Sequence, residues 1–375
     1  MSTLAKNRNE MKVEREIAGF AFPFAAGVAA SVIFGAFPHT ISPSYHIVTS
    51  AVILLSAALL MYSFRKGWKY EIQWGLIGVC FLACGALVGL SGNEMQVSGT
   101  RSFTWLGMAE KALASITGLI DSIPFAHEQT GGLIKALLTG DRSEIPPEIK
   151  QAFQDSGASH ILALSGLHLG IIYALIVKVL SAAGNSPAIR RIQSVMTILI
   201  CGFYTMATGA GASIMRAFIF ITINEVGKMT GRHTSLKSVL AVSLMIHLIF
   251  APTAVSEIGF QLSYAAIFGI AYIFPWMRRM WKNNWAGLKW MWESLALSIS
   301  CQITTGPLAY LYFGTFPQYF LLTNLIAVPL AGLIIPSALI TIILTATGWC
   351  PEFLIHVTEW LVRAMTDSLN IIATM

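Results

Sequence analysis

The sequence predicts an all-α polytopic membrane protein with about ten transmembrane helices, several of them broken or re-entrant, and with amphipathic surface helices. Of its 375 residues, 55% are apolar and only 11% are charged, whereas soluble domains carry about 25% charged residues. Several runs exceed the roughly 18 apolar residues that indicate a membrane helix. This composition excludes a soluble enzyme, a disordered protein and a small disulfide-rich scaffold.

Ten mainly apolar runs are the candidate spans. They cover residues 17–37, 46–63, 74–90, 160–180, 192–210, 213–226, 237–251, 259–276, 290–312 and 319–347. The sixth and seventh runs are short. We expect Gly306 and Pro307 to break the ninth span, and Asn324 with Pro329 to break the tenth, because proline removes a helical hydrogen bond.

Lysine and arginine gather in every second loop. They precede the first span and follow the second, fourth, sixth and eighth, whereas the alternate loops 38–45, 252–258 and 313–318 contain none. Because short cytoplasmic loops are rich in these residues, the distribution places the N-terminus in the cytoplasm. It also accounts for most of the net charge of +6 without a nucleic-acid partner.

The predicted organisation has four parts. They are an N-terminal cytoplasmic segment with three membrane helices (1–92), an extracytoplasmic segment (93–159), a transmembrane domain (160–350) and a C-terminal amphipathic helix (351–375). Helical periodicity over 105–120 predicts a helix that either lies on the outer membrane surface or packs on the spans. For 352–374 we favour a helix lying flat on the cytoplasmic surface over an eleventh bundle helix, because its polar stripe is costly to insert.

The start of the fourth span is the richest polar stretch within an apolar run. On a helix, His160, Ser165 and His168 share one arc, and Gly157 and Gly166 permit close approach of a neighbouring backbone. These side chains either bridge helices or line a pathway. Two histidines eight residues apart without a carboxylate do not fit a helical zinc motif, so we expect no metal and no other cofactor. A Ser165–His168 hydrolytic pair lacks an orienting acid, so we expect no catalytic residue.

Two further polar stretches lie near the outer ends of later spans. Small residues at 209–212 precede Arg216 and predict a broken or re-entrant helix, which is tolerated where backbone lines a cavity or is buried in protein. A guanidinium there suits phosphate, or it snorkels or pairs with a carboxylate. Glu257 and Gln261 open the eighth span on adjacent turns, and Glu257 is the candidate partner of Arg216. The repeated breaks favour a conduit over a plain anchor.

Ordered motifs give the chain a family resemblance. They are Leu138-Thr-Gly140-Asp141-Arg142, Gly157-Ala-Ser-His160-Ile-Leu-Ala-Leu-Ser165-Gly-Leu-His168, Ser213-Ile-Met-Arg216-Ala, Gly259-Phe-Gln261-Leu-Ser263-Tyr-Ala-Ala, Gly306-Pro307 and Asn324-Leu-Ile-Ala-Val-Pro329. Over about residues 130 to 335 this series resembles the competence domain of the ComEC family of DNA-uptake channels. The resemblance identifies 160–350 as a competence-type channel domain.

The resemblance implies a channel that passes single-stranded DNA through the bacterial cytoplasmic (inner) membrane. It places in the DNA pathway His160, Ser165, His168, Arg216, Glu257, Gln261 and Asn324. We assign phosphate contact to Arg216, the constriction or its gate to His160 and His168, and a structural role beside Arg216 to Glu257. The remaining motif residues, for which we expect structural roles, are Gly140, Asp141, Arg142, Gly166, Gly306, Pro307 and Pro329.

The chain departs from the family pattern in its soluble parts. Full-length members resemble a three-part protein with an OB-fold-like region, the competence domain and a metallo-β-lactamase-like domain. Here residues 91–129 leave too little room for a complete OB barrel, no HxHxDH string occurs, and residues 91–159 carry a net charge of −3, which repels a phosphate backbone.

These departures shape the partners that we expect. A separate nuclease, a DNA receptor and a cytoplasmic motor would act beside the single-stranded DNA and the membrane lipids, and a homodimer is left open. The alternative function is a transporter or channel for another anionic substrate on the same scaffold. An intramembrane hydrolase that uses Ser165 and His168 is the least favoured hypothesis.

Overall fold

The computed structural model of the chain describes residues 2–35, 44–95, 104–184, 186–231, 234–281, 285–314 and 319–375. Every regular element in these ranges is a helix, which confirms the all-α membrane fold. Five apolar segments within the helices are long enough to cross a membrane, namely Glu16–Ile33, Tyr45–Lys66, Tyr70–Leu90, Ile258–Met280 and Phe320–Ala346. Two further apolar helices, Gly166–Ser181 and Leu236–Phe250, are shorter. The protein is therefore a multi-pass membrane protein.

The α-helices follow one another with short connections. They are α1 (Ser2–Gly35), α2 (Ser44–Lys66), α3 (Tyr70–Met95), α4 (Thr104–Asp121), α5 (Glu128–Thr139), α6 (Pro147–Asp155), α7 (Ser159–Leu162), α8 (Gly166–Ser181), α9 (Pro187–Ala207), α10 (Ala212–Met229), α11 (Leu236–Phe250), α12 (Ile258–Phe268), α13 (Phe274–Met280), α14 (Ala286–Phe313), α15 (Phe320–Ala346) and α16 (Glu352–Ala373). A 3₁₀ turn, Pro252–Ser256, precedes α12, and a π-helical turn, Gly269–Ile273, follows it.

The helices form two compact units. The first comprises residues 1–101 and 233–272 and so contains α1 to α3, α11 and α12. The second comprises residues 102–232 and 273–375 and contains α4 to α10 and α13 to α16.

Glycines hold α1 and α3 of the first unit at close range. A Cβ on Gly27 would lie 1.9 Å from the carbonyl oxygen of Leu82, and a Cβ on Gly85 would lie 2.0 Å from that of Phe24. No side chain fits at such distances, so the two backbones approach this closely because both positions are glycine.

Aromatic and charged contacts extend this helix pair. The ring of Phe20 on α1 stacks on Trp74 and Phe81 of α3, with centroid distances of 5.3 and 5.0 Å. Helix α11 packs on α1 as well. There Lys237 Nζ lies 3.7 Å from Glu14 Oε2, at the end of α1 that the charge pattern predicts to be cytoplasmic.

In the second unit, α15 and α16 form an antiparallel pair that provides much of the core. The hydroxyl of Thr358 on α16 lies 3.2 Å from those of Thr341 and Ser337 on α15. Helices α4 and α5 also contact α15, and α5 and α6 contact α16. Helix α4 additionally packs on α9, so the helix predicted over 105–120 packs on other helices, which is the second of its two predicted arrangements.

The contacts of the C-terminal helix are with protein, and whether it lies flat on the membrane surface stays a prediction. Helix α16 runs along α15 and buries Glu359, whose Oε1 accepts a hydrogen bond of 2.8 Å from the backbone N–H of His127. The other members of the polar stripe are exposed, namely Glu352, His356, Arg363, Asp367 and Asn370. Helix α16 therefore packs on the second unit mainly with its apolar face.

The predicted breaks in the ninth and tenth spans are wrong. Helix α14 continues through Gly306 and Pro307, and α15 continues through Asn324 and Pro329. One missing backbone bond does not end a helix inside a bundle, where neighbouring helices and hydroxyl groups satisfy the remaining backbone groups.

Helices α8, α9 and α10 form a second cluster with a core of Leu169, Cys201, Ile214 and Ile221. The small residues at 209–212 do not form a re-entrant segment. They make the tight connection from α9 to α10, in which Gly209 and Ala210 both have positive φ, 79° and 50°. The run of small residues therefore marks a turn between two helices.

We predict that Gly85→Ala lowers the free energy of unfolding by about 1–3 kcal/mol, the usual penalty for overpacking. The added methyl group meets the Phe24 carbonyl and forces α1 and α3 apart. Thermal unfolding in detergent measures the effect. The matched control is Gly75→Ala on the same helix, where a Cβ meets nothing within 4 Å. Equal melting temperatures for the two variants would contradict the close crossing.

Candidate functional site

The predicted fourth span is broken near its start. Helix α7 ends at Leu162, and the backbone is extended at Ala163, with φ −75° and ψ 126°. Ser165, with φ −125° and ψ 170°, is the N-cap residue of α8. A break is therefore present in this span, and residues 163–165 form it.

Ser165 and His168 cap the new helix reciprocally. The Ser165 hydroxyl accepts from the backbone N–H of Leu167 at 3.2 Å, and His168 Nδ1 accepts from the backbone N–H of Ser165 at 3.0 Å. This is a capping box in which histidine replaces the usual Glu or Gln. Because Nδ1 is the acceptor, the neutral ring carries its proton on Nε2.

The same geometry argues against a hydrolytic pair. His168 Nδ1 is occupied by a backbone donor and lies 3.4 Å from the Ser165 hydroxyl. A general base needs a nitrogen directed at the nucleophile and an acid that orients the ring. Both groups act here as helix caps.

The Nε2 atom of His168 is a buried donor. The side chain is completely buried, and among the residues that the structure describes Nε2 has no hydrogen-bond partner. Asn324, the fifth residue of α15, likewise has a buried Oδ1 for which the described residues provide no donor. Buried polar atoms are nearly always satisfied, so each of these two atoms needs a partner that the described residues do not provide.

Two glycines bring other helices against the break. Gly140 ends α5 with φ 84°, and a Cβ there would lie 3.3 Å from the Cβ of Leu164. On the other side, a Cβ on Gly166 would lie 3.3 Å from the Cβ of Ala217 on α10. The hydroxyl of Tyr204 on α9 donates to the Leu138 carbonyl at 2.6 Å. The motif around Gly140 therefore packs on the break.

Helix α15 approaches the same region with its first turn. The Thr323 hydroxyl, which is completely buried, donates to the carbonyl of Ser156 at 2.6 Å. Ser156 ends α6, immediately before α7, and α7 itself contacts α15. This contact places Asn324 on the helix that borders the break.

The structure brings several predicted pathway residues to one region. Arg216, which is 2% exposed, precedes Ala217 on α10 and so lies beside the contact of that residue with Gly166. His160 is exposed on α7, with Nδ1 3.2 Å from the Gly157 carbonyl. Ser165, His168 and Gly166 form the start of α8 itself.

Two predicted pathway residues belong to the other unit. Glu257 is exposed at the start of α12, and Gln261 donates from Nε2 to the Val255 carbonyl at 3.0 Å. Both lie in the first unit, whereas Arg216 lies in the second. The pairing of Arg216 with Glu257 stays a prediction.

The loop after α5 is held by its own polar groups. The Asp141 carboxylate accepts from the backbone N–H of Ser143 at 2.9 Å, and this bond, with the Ser143 hydroxyl, lowers the pKa of Asp141. Lys135 is buried between Asp121 and Glu144. Burial by itself lowers the pKa of Lys135, but the two carboxylates outweigh it and raise that pKa. These contacts fix α4, α5 and the loop together.

Sequence inspection missed a buried carboxylate cluster at the other end of α10. Glu225, which is 3% exposed, accepts from the Tyr173 hydroxyl, the Ser194 hydroxyl and Lys228 Nζ, each at 2.7 Å. The cluster ties α8, α9 and α10 together. Its only signal in the sequence is a Glu–Lys pair three residues apart, which is common on exposed helix faces.

Metal ligands do not gather anywhere in the described ranges: no group of three or more His, Cys, Asp or Glu side chains there is arranged to hold a metal ion.

Comparisons with known proteins place this region in a family. A family model described as "Competence protein" matches residues 137–375. "ComE operon protein 3" of Bacillus subtilis (strain 168) is 32% identical over 139 residues, which are 37% of this chain and 18% of that protein. "Competence protein ComA" of Neisseria gonorrhoeae is 26% identical over 204 residues, 53% of this chain and 28% of that protein.

An "Uncharacterized protein YcaI" of Escherichia coli (strain K12) is 24% identical over 242 residues, 63% of this chain and 31% of that protein. The aligned regions thus span between 18% and 31% of the length of these three relatives. No solved structure gives a significant match. The residues matched by the family model include the break and Arg216.

We predict that His168→Ala lowers the melting temperature, because loss of a helix cap removes about 0.5–2 kcal/mol. His168→Gln should recover most of this loss, since glutamine is a natural partner in a capping box. Thermal unfolding in detergent compares both variants with His356→Ala, which changes an exposed histidine on α16. If His168→Ala melts like His356→Ala, the cap does not hold α8.

Proposed function

The chain belongs to the competence protein family, whose model covers residues 137–375, and on this basis we propose that it is a channel for single-stranded DNA in natural transformation. The strand would enter the cytoplasm through the cytoplasmic (inner) membrane of a bacterium. The observation that carries the proposal is the capped break between α7 and α8: the buried His168 lies at the break, and the buried Arg216 precedes Ala217, the residue of α10 that faces Gly166.

The first of these groups is the imidazole of His168. Its Nδ1 is committed to the cap, so the proton on Nε2 is directed elsewhere, and the described residues offer it no acceptor. A phosphate oxygen of a passing strand is an acceptor of the right kind. A neutral N–H donor also releases a strand readily, which transport requires.

The second group is the guanidinium of Arg216. Arginine binds phosphate through a planar set of donors and keeps its charge when it is buried. It is the fifth residue of α10, so the attraction for phosphate comes mainly from the guanidinium charge itself. Arg216 is therefore the main electrostatic attraction for the strand in this proposal.

The burial of both side chains is typical of a closed gate. His168 is 0% exposed and Arg216 is 2% exposed, so a strand reaches them only when α10 or α15 moves away from α8. Gly166 has no side chain that would obstruct Ala217, so a movement of α10 relative to α8 meets little steric resistance there.

The charge pattern supports the proposed sidedness and a separate receptor on the outer side. The basic loops support a cytoplasmic N-terminus. Residues 91–159 are acidic and repel DNA, so a separate receptor would present the strand outside. A separate nuclease would remove the second strand, and a motor protein would pull from the cytoplasm.

Another anionic solute is the second candidate. The chain aligns with 31% or less of each of the three relatives, so their whole activity need not be present here. The donors of His168 and Arg216 bind any phosphate-bearing solute of suitable size. Transformation assays separate the two functions.

We predict that deletion of the gene abolishes natural transformation and that wild type restores it, in a competent strain without a second competence-family channel. Complementation with Arg216→Ala should lower transformation by about tenfold or more, because a charge-assisted hydrogen bond contributes about 1.5–3 kcal/mol. Arg191→Ala, which changes an exposed arginine on α9, is the control and should transform normally.

Membrane levels of each variant must be equal for this comparison. Normal transformation in the deletion strain would favour another anionic substrate. Normal transformation with Arg216→Ala would remove this arginine from the pathway.

A further inference from the structure

A cavity of about 410 Å³ lies between α13 and the first turns of α14, away from the capped break. Its walls include Arg278, Arg279, Trp281, Lys289, Trp292 and Glu293. The volume is within the range of small-molecule sites, about 300–1,000 Å³. All of these residues belong to the second unit.

Two tryptophans form a rigid wall of the cavity. The rings of Trp281 and Trp292 stack with centroids 5.5 Å apart and planes at 21°. The indole N–H of Trp292 donates to the Met277 carbonyl at 3.2 Å, which fixes that ring against α13. The wall is therefore preorganised for a ligand.

The charges of the cavity are unbalanced. Arg278 Nε pairs with Glu293 Oε1 at 2.8 Å. Arg279 and Lys289 have no acidic partner among the residues that the structure describes. Arg279 and Lys289 are thus available to bind an anion, because the carboxylate of Glu293 already pairs with Arg278.

Exposed tryptophans place the cavity at the depth of lipid headgroups. Trp276, Trp285 and Trp290 flank it and are 64%, 74% and 53% exposed. Exposed tryptophan is enriched where membrane meets water. A basic cavity between helices at this depth suits the headgroup of an anionic lipid.

We propose that this cavity binds the phosphodiester headgroup of an anionic phospholipid, with Arg279 and Lys289 on the phosphate. The exposed tryptophans lie along the acyl chains. An anionic phospholipid has one compact phosphodiester next to apolar acyl chains. This combination matches two cations beside an apolar aromatic rim. A DNA strand presents a row of phosphates and would need a longer basic groove. The proposal does not depend on what the channel carries.

Native mass spectrometry of the detergent-solubilised full chain tests the site. The probes are dioleoyl phosphatidylglycerol, dioleoyl phosphatidylcholine, inorganic phosphate and a 20-residue oligothymidylate. The test variant is Arg279→Gln with Lys289→Gln. The control, Arg65→Gln with Lys66→Gln, removes one arginine and one lysine from the basic end of α2.

We expect wild type and the control to retain phosphatidylglycerol in preference to phosphatidylcholine. The cavity variant should bind phosphatidylglycerol about 10–30-fold more weakly, since each cation near an anionic headgroup contributes about 1 kcal/mol. If the double variant is not monodisperse, Lys289→Gln alone should show a smaller loss in the same direction.

Three results would overturn the proposal. Equal weakening in both double variants would mean general attraction to basic loops. Displacement of the lipid by inorganic phosphate at equal concentration would mean a site for a free anion. Preferential binding of the oligothymidylate, lost in the cavity variant, would make the cavity a nucleic-acid site.

Discussion

A helix that starts inside a bundle exposes backbone N–H groups, and these need acceptors that water does not supply there. Ser165 and His168 meet this requirement for α8, because each side chain accepts one of these N–H groups. The cap lets α8 begin anew after the extended residues that follow α7, and the end of α5 and the start of α10 pack beside this break. Gly140 and Gly166 permit those contacts.

Charge and hydropathy predicted the membrane fold, because burial in lipid demands apolar helices whatever their packing. The break at Ser165 was also within reach of sequence inspection. A serine followed three residues later by a polar side chain is a capping pattern, and the flanking glycines fit a close approach. The sequence therefore indicated where the candidate site lies, although histidine is an unusual second member of the box.

The contacts between helices that are distant in the chain could not be predicted from the sequence. Pro307 and Pro329 predicted helix breaks, yet both helices continue, because neighbouring helices compensate for one lost backbone bond. In the polar stripe of α16, five of the six residues are exposed as the pattern suggests, yet Glu359 is buried against a backbone donor 232 residues away in the chain. Likewise, Glu225 finds its partners on α8 and α9 only once the helices have packed.

The most direct test of the account is photocrosslinking of DNA during uptake. A photoreactive benzoylphenylalanine replaces Asn324, on the helix that borders the break, or Leu333, which is 56% exposed on the same helix. Labelled transforming DNA is then irradiated in cells that still transform. The account predicts DNA crosslinks from position 324 and none from position 333. Crosslinks from both positions, or from 333 alone, would contradict a pathway through the capped break.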